Sequence, residues 1–135
     1  MKKLFLDTNI ILDVILEREE MPQAAQILTL GEQGKAHLCV SYLTIANLAY
    51  VIRKGRTTSE IRSIITDLKQ FVDILPMTSD QLDIALGVDA SDFEDVLQYE
   101  CAMDAGCDFI ITRNAQDFGF SAIPVMTPSD YLASL

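Results

Sequence analysis

The sequence predicts an α/β fold, a three-layer α/β/α sandwich whose central, mostly parallel sheet has four to five strands. Short apolar segments alternate with longer helical segments along the chain, which is typical of helices packed on a parallel sheet. The apolar segments lack polar alternation, as expected for strands that are buried on both faces. The length of 135 residues is typical of one domain, and half of the residues are hydrophobic, as in a globular chain. We therefore expect a single domain over residues 1–135.

Each predicted strand is a short apolar run bounded by polar or turn-forming residues. The strands are "KLFL" (3–6), "AHLCVS" (36–41), "DILP" (73–76), "DFIIT" (108–112) and "IPVM" (123–126). Because helices separate them, the strands are expected to run parallel and to end at the same edge of the sheet. In such folds the functional crevice lies beyond the carboxyl ends of the strands.

The helices between the strands carry start signals in the sequence. Three capping boxes are predicted, at Thr57-x-x-Glu60, Thr78-x-x-Gln81 and Ser91-x-x-Glu94, and Thr127-Pro128 places a proline at the first position of the last helix. The predicted helices span 9–19, 21–34, 42–55, 59–72, 79–88 and 92–106, followed by a short helix from residue 128.

The charge balance limits the classes of function. Ten Lys+Arg against twenty Asp+Glu give a net charge of −10, which repels nucleic acid at long range and favours a basic partner. A nucleic-acid role therefore requires a local basic patch or bound cations. No apolar run has the length of a membrane span, and the N-terminus does not resemble a secretory signal, so we expect a cytoplasmic protein without membrane contact.

Cysteine and histidine usage argues against a zinc or disulfide framework. The chain has three cysteines, Cys39, Cys101 and Cys107, without a C-x-x-C pair, and we expect free buried thiols. His37 is the only histidine, and its place in an apolar strand suggests a structural role.

Acidic and amide side chains follow the predicted strands or begin a predicted helix. They are Asp7 after the first strand, Thr112, Asn114 and Asp117 after the fourth, Asp92, Glu94 and Asp95 at a helix start, and Asn47 inside an apolar helix. Carboxylates that converge at strand ends repel each other unless a cation lies between them, and Mg²⁺ and Mn²⁺ prefer oxygen ligands. The sequence contains no G-x-S-x-G, P-loop or G-x-G-x-x-G motif that offers other chemistry.

Each of these residues also has a purely structural interpretation. Asp7 or Thr8 would cap the first helix, and the acids at 92–95 would complement a helix dipole. Asn114 and Asp117 are common turn formers, and Asn47 would bond to backbone as a buried amide. Singly these interpretations are favoured, whereas together the residues favour a metal site.

Two segments of the chain resemble the PIN domain, the nuclease fold of the VapC toxins and their relatives. "LFLDTNIILDVIL" resembles the family's opening strand and first acid. "SDFEDVLQYECAMDAGCDFIITRNAQDF" resembles its closing segment, in which a helix bearing one acid leads into a strand that ends T-R-N-x-x-D-F. The resemblance implies a metal-dependent endoribonuclease, in which about four acids bind Mg²⁺ or Mn²⁺ for cleavage of RNA phosphodiesters.

The resemblance also implies roles for individual residues. The first, third and fourth acids, which act as metal ligands and catalytic groups, would be Asp7, Asp95 and Asp117. Supporting residues that orient the ligands would be Asn9, Asp92, Thr112 and Asn114.

One family acid is absent from this chain. Where the family usually carries a glutamate in the helix after strand two, the sequence "TIANLAY" has Asn47. An amide brings no charge, which would weaken metal binding, although Asp92 or Glu94 could compensate. The absent acid favours a second hypothesis, a PIN-like binding module with weak or no nuclease activity.

Four basic residues could bind RNA, and the family resemblance implies protein partners. Arg53, Lys54, Arg56 and Arg113 are the residues that could hold RNA phosphates, although the first two also complement a helix C-terminus. The resemblance further implies a basic antitoxin partner and a homodimer, for which "IILDVIL" and "AAQIL" offer apolar residues. A third hypothesis, an aspartyl phosphatase with Asp7 as nucleophile, is disfavoured because Asn9 replaces its usual second acid.

Overall fold

Five short strands form one sheet in which every pairing is parallel. The computed structural model describes residues 1–135. The strands are β1 (Lys3–Leu6), β2 (His37–Ser41), β3 (Val72–Leu75), β4 (Phe109–Ile111) and β5 (Val125–Met126), in the spatial order β3-β2-β1-β4-β5. Helices pack on both faces of this sheet, so the predicted three-layer α/β/α fold is confirmed.

Seven α-helices and one 3₁₀ turn connect the strands. They are α1 (Thr8–Ile15), α2 (Met21–Glu32), α3 (Tyr42–Ile52), α4 (Thr58–Lys69), α5 (Ser79–Leu86), α6 (Phe93–Asp104), the 3₁₀ turn Ala115–Phe118 and α7 (Pro128–Ala133). None of these helices combines the length and the apolar character that crossing a membrane requires.

Each face of the sheet has its own apolar cluster because side chains alternate along a strand. Leu4, Leu6 and Leu38 belong to the larger cluster, which α1, α2, α3, α4 and α7 cover. Phe5 and Cys39 face the smaller cluster, which α6 and the segment after β4 cover. The chain thus buries its central strands completely and leaves polar chemistry to their ends.

Three details of the sequence prediction are corrected by the structure. Helix α1 ends at Ile15 and does not reach residue 19, because Glu17 adopts a left-handed φ of 50° that no α-helix continues through. The cap of α6 is Asp92 and not Ser91. The last strand is confined to Val125–Met126, since Pro124 has no amide to donate to the ladder.

The capping boxes at Thr57 and Thr78 are both present, and Thr127 caps α7 with Pro128 at its first position, as predicted. The apolar residues that were expected to be available for a dimer interface have another use: Ile10, Ile11 and Ile27 are fully buried in the larger cluster. They form part of the core, whereas Val14, Ile15, Leu16 and Ala25 of the same segments remain partly exposed.

Candidate active site

The two central strands end in polar side chains that contact each other. Asp7 directly follows β1, and Thr112 directly follows the neighbouring β4. The Thr112 hydroxyl donates to Asp7 Oδ2 at 2.8 Å, and the Asp7 amide donates to the Ile111 carbonyl at 3.0 Å. Since β2 and β4 flank β1 on opposite sides, Asp7 lies at the switch point of the sheet, where ligands bind in open α/β folds.

The start of α6 contributes three more acids. Asp92 is the N-cap, and its Oδ1 accepts from the amides of Glu94 at 3.0 Å and Asp95 at 3.4 Å. This capping places the three carboxylates on one turn, at the positive end of the helix dipole. Asp117 comes from the 3₁₀ turn that follows Asn114, whose amide donates to the Thr112 hydroxyl at 3.2 Å.

One cavity of about 300 Å³ collects these residues. It is lined by Asp7, Thr8, Asn9, Asn47, Tyr50, Val51, Asp92, Glu94, Asp95, Asn114 and Asp117. The structure therefore brings together every acid and amide that the sequence singled out, with Thr112 bonded to Asp7 beneath them. Sequence reasoning did not single out Tyr50 and Val51, which line the cavity from the exposed side of α3 and carry no polar signature of their own.

The electrostatics of the cavity disfavour ionised carboxylates. Burial raises the pKa of Asp95 to about 7, and the nearby charges of Asp92, Asp7 and Asp117 add to the effect. Burial also raises the pKa of Asp7, although the hydrogen bond from Thr112 partly offsets it. The pKa of Glu94 is raised by the same combination of burial and acidic neighbours. No lysine or arginine lines the cavity, and none of its five acids forms an ion pair.

Asn47, which replaces the expected family glutamate, contacts another acid. Its Nδ2 donates to Glu94 Oε1 at 2.8 Å, which joins α3 to the start of α6 across the cavity. A glutamate at position 47 would repel Glu94. The neutral Asn47 amide instead donates to Glu94 and fixes the position of this carboxylate, which α6 supplies. The cavity keeps five acids despite the substitution.

A buried polar network holds the three helices that carry the site. Ser41 donates to Gln98 Oε1 at 2.6 Å, and the Gln98 amide donates to Thr44 Oγ1 at 3.2 Å. Thr8 in turn donates to Thr44 Oγ1 at 3.1 Å. These residues tie α1, α3 and α6 together beneath the cavity, and their buried oxygens and nitrogens are all bonded. Sequence reasoning missed this network, because Gln98 is one of several polar residues in α6 and no local pattern marks it as buried.

The donor set of the cavity fits a hard divalent cation. All of its candidate ligands are carboxylate or amide oxygens, which suit Mg²⁺ or Mn²⁺ and not a thiolate-preferring metal. Burial, and after it the charge of the neighbouring acids, raises the pKa values of Asp7 and Asp95, and a bound cation would offset both effects. The only three potential ligands whose atoms all lie within 4.8 Å of one another are elsewhere in the molecule, so the acids surround the cavity without converging on one point.

Arg113, one of the residues assigned to RNA, is engaged on another side of α1. Its Nη1 lies 3.1 Å from Asp13 Oδ1 and 3.1 Å from Glu20 Oε2. Arg18 approaches the same Asp13 oxygen at 3.4 Å. The Asp13 side chain is only 1% exposed, so this ion pair is largely internal and Arg113 does not line the cavity.

The basic end of α3 lies beside the cavity without lining it. The guanidinium of Arg53 stacks on the ring of Tyr50 at 3.7 Å, and Tyr50 is a lining residue. Arg56 donates to the Ile52 carbonyl at 3.3 Å and closes the helix end. Lys54 is exposed and makes no side-chain hydrogen bond. Arg53 is therefore in contact with a residue that lines the acidic cavity.

Fold and site together define a class of protein: a parallel α/β domain with an acidic cavity, suited to a divalent cation, at the switch point of its sheet. The sequence assigns this domain to one family. The profile of the PIN domain family matches residues 3–116, and the chain belongs to this family.

The chain is also similar to individual proteins in sequence and in fold. The chain is 27% identical over 139 aligned positions to Ribonuclease VapC1 of Aquifex aeolicus, covering 96% of this chain and 93% of that protein. Its fold resembles that in the crystal structure of VapBC2 from Rickettsia felis bound to a DNA fragment from their promoter (TM-score 0.69, 15% identity, 93% of this chain and 98% of that one). VapBC-1 from nontypeable Haemophilus influenzae is similar (TM-score 0.68, 19% identity, 94% and 98%).

Proposed function

We propose that this protein is an endoribonuclease that depends on Mg²⁺ or Mn²⁺. The observation that carries the proposal is that five carboxylates, and no cationic side chain, line one cavity at the switch point of the sheet. The family supports it, and the relative from Aquifex aeolicus is itself named a ribonuclease. When bound, a divalent ion supplies the positive charge that binds a phosphodiester and activates water for its hydrolysis.

Asp7, Asp95 and Asp117 are the proposed metal ligands. Thr112 holds Asp7 by its hydroxyl, and Asp95 lies on the first turn of α6, whose cap is Asp92. Asn9 and Asn114 line the same cavity and would orient ligands or water by hydrogen bonds. Because the pKa of Asp95 is raised to about 7 in the metal-free protein, this carboxyl is partly protonated near neutral pH and must lose its proton when it binds an ion.

Glu94 is proposed to supply the charge that Asn47 does not. The Asn47 amide holds Glu94 in the cavity at 2.8 Å, and the pKa of Glu94 is raised by burial and then by its closeness to Asp92 and Asp7. With Glu94, the three proposed ligands become four acids, the usual number in the family. The fourth acid would then come from α6 and not from α3.

The proposed substrate contacts lie on the α3 side of the cavity. Arg53, stacked on Tyr50, is positioned to meet a phosphate that enters the cavity, and Lys54 and Arg56 follow it in the chain. Arg113 has less support for this role because it is engaged by Asp13 and Glu20.

We further propose a basic antitoxin as partner. The net charge of −10 and an acidic cavity without its own cations favour a partner with a basic segment. Similar solved structures include a toxin–antitoxin complex from Klebsiella pneumoniae (TM-score 0.67, 21% identity). A homodimer is also proposed, supported by exposed apolar side chains on and near α5, namely Leu82, Ile84, Leu86 and Phe93.

Cleavage of a structured RNA tests the nuclease directly. The wild-type chain and an Asp95→Asn variant would be purified identically and incubated with Mg²⁺, Mn²⁺ or a chelator. We expect cleavage only by the wild type and only with a divalent ion. Equal cleavage by the two proteins would identify a contaminating nuclease and contradict the proposal.

The second candidate function is an RNA- or protein-binding module without catalysis, which Asn47 favours. Asn47→Glu distinguishes the two: it restores the family acid, but it also removes the donor that holds Glu94. A large gain of cleavage in this variant would mean that the natural site is catalytically impaired. A loss of cleavage would mean that the Asn47–Glu94 pair is part of a working site.

A further inference from the structure

A second group of potential metal ligands lies in the other half of the sheet. His37 and Cys39 are two residues apart on β2, so their side chains point to the same face. Asp73 on β3 is the register partner of Cys39 and shares that face. One ligand atom from each of these three residues lies within 4.8 Å of the others, and His37 Nε2 already contacts Asp73 Oδ2.

The spacing of the three ligand atoms is close to that of a coordination sphere. Tetrahedral zinc bonds of about 2.0–2.3 Å place neighbouring ligand atoms roughly 3.3–3.8 Å apart. Atoms within 4.8 Å of one another can reach this spacing by small shifts, in which His37 Nε2 and Asp73 Oδ2, now in direct contact, move apart to admit the ion. Imidazole nitrogen, thiolate sulfur and carboxylate oxygen are all established zinc ligands.

Burial arranges these ligands from the surface inward. The side chains of His37 and Asp73 are 42% and 62% exposed, whereas Cys39 is fully buried behind them. An ion entering from solvent would meet the imidazole and the carboxylate first and the sulfur last. The thiol of Cys107 is itself nearly buried and belongs, with Cys39, to the smaller apolar cluster.

We propose that His37, Cys39 and Asp73 form a zinc site that is separate from the acidic cavity. Among the acids of the cavity, Asp7 and Asp117 follow β1 and β4 and the other three begin α6. In contrast, His37 begins β2 and Asp73 is the second residue of β3. The donor sets differ too: sulfur and nitrogen select zinc, and the all-oxygen cavity selects magnesium or manganese. Bound zinc would join the edge strand β3 to the interior strand β2 and stabilise the sheet.

One feature of the surroundings opposes a cation at this position. Lys3 is the register partner of His37, and its ammonium donates to the Ala105 carbonyl at 2.7 Å. This carbonyl directs the ammonium toward the end of α6. The positive charge nevertheless lowers the affinity for zinc. The neighbouring Cys107 thiol and burial raise the pKa of Cys39, so zinc must displace the thiol proton when it binds.

Co²⁺ binding tests the site because cobalt bound to thiolate has a charge-transfer absorption that oxygen ligands do not give. The full chain with Asp7→Asn and Asp95→Asn, stripped of metal by chelation, would be titrated with Co²⁺ and then with Zn²⁺. We expect one equivalent of Co²⁺ to produce the thiolate band and Zn²⁺ to abolish it by displacement.

Variants at the exposed ligands decide the assignment without disturbing the core. His37→Gln and Asp73→Asn should each weaken Co²⁺ binding by about tenfold or more, and His37→Gln should abolish any rise of the melting temperature caused by Zn²⁺. Cys101→Ser, a buried thiol outside the trio, is the matched control and should keep the band. Absence of the thiolate band in the folded parent, or a band unchanged in both ligand variants, would overturn the proposal and leave a His37–Asp73 ion pair only.

Discussion

Two groups of carboxylates lie at the two ends of α1, and their surroundings are opposite. Asp7 immediately precedes the helix and shares its cavity with Asp92, Glu94, Asp95 and Asp117, without any cationic side chain. At the other end, Asp13 is 1% exposed and is paired with Arg113 and Arg18. We infer that Asp13, which is paired with arginines, stabilises the fold, whereas the unpaired acids of the cavity are available to bind a ligand.

The chain that leaves β4 contributes to both groups. Thr112 bonds to Asp7, the next residue Arg113 pairs with Asp13, and Asn114 lines the acidic cavity. Through Thr112 and Arg113, the loop that follows β4 therefore contacts both ends of α1. Damage to the ion pair should consequently affect the position of the cavity acids, whereas neutralising a cavity acid should leave the ion pair intact.

The largest expected effect comes from neutralising an acid of the cavity. Asp7→Asn should lower RNA cleavage by more than about 100-fold, since changes in the residues that merely support metal ligands already cost 10–100-fold. The melting temperature should stay equal or rise, because burial disfavours the Asp7 carboxylate. Cleavage rate and thermal unfolding would be measured together.

Glu20→Gln is the matched control for Asp7→Asn, as it neutralises an acid of the other group that is partly exposed. It should keep the cleavage rate of the wild type. An Asp7→Asn variant that loses stability but keeps activity would reverse the proposed division between the two groups.

The second effect concerns stability. Arg113→Met should lower the free energy of unfolding by roughly 2 kcal/mol, because Asp13 keeps only the longer contact with Arg18 and already has one oxygen without a partner. Denaturation by urea measures this change. Arg18→Met, which removes the longer contact, is expected to cost less. If Arg113→Met left stability unchanged and only weakened RNA binding, Arg113 would belong to the substrate surface.

The third effect is a dependence on pH. Because the pKa of Asp95 in the folded protein is about 7, above its ordinary value of 3.8, the folded carboxyl keeps a proton that the unfolded chain has lost between these pH values. The stability of the metal-free protein should therefore fall as the pH rises through this window, and Asp95→Asn should reduce the fall. Melting temperatures across the pH range would measure it.

Binding of Mn²⁺ should show the opposite trend. The affinity should increase by up to about tenfold per pH unit below pH 7 and level off above it, because the proton must leave before the ion binds. Calorimetric titration at several pH values measures this. An affinity independent of pH would indicate that Asp95 is not a ligand.

The smallest effect is expected at Asn47. Asn47→Ala removes the hydrogen bond to Glu94 but no charge, so cleavage should fall by only a few-fold, roughly 3–10-fold at about 1 kcal/mol for one hydrogen bond. Glu94→Gln, which removes the charge, should have the larger effect. If Asn47→Ala were the more harmful of the two, Asn47 would have to contact the substrate or the ion directly.

The sequence was sufficient for the sheet, its parallel strands and the position of the acids. Strand ends are visible as apolar runs that stop at Asp7 and Thr112, and the parallel arrangement then brings those ends together. The cap of α6 was predicted one residue early, because Ser91 and Asp92 are both good caps and only the backbone geometry selects between them.

Contacts between distant side chains could not be predicted. Arg113 lies in the T-R-N segment beside the acids, yet it turns to Asp13, a partner 100 residues away on the other side of α1. The lone acid in the apolar run "IILDVIL" was a signal of a buried ion pair, but it did not identify the arginine. Similarly, the donation from Asn47 to Glu94 depends on how α3 and α6 approach each other, which no local pattern encodes.

The pairing of β1 with β4 has a consequence for the protein during its synthesis. Asp7 receives its bond from Thr112, 105 residues later, and Asp117 follows that strand. At roughly 5–20 residues per second, a ribosome needs about 5–20 s after making Asp7 to add Asp117, and the exit tunnel delays folding further. A nascent chain that has not yet reached Asp117 therefore lacks the complete acidic cavity, so any activity of this site begins only after Asp117 has been added and has left the ribosome.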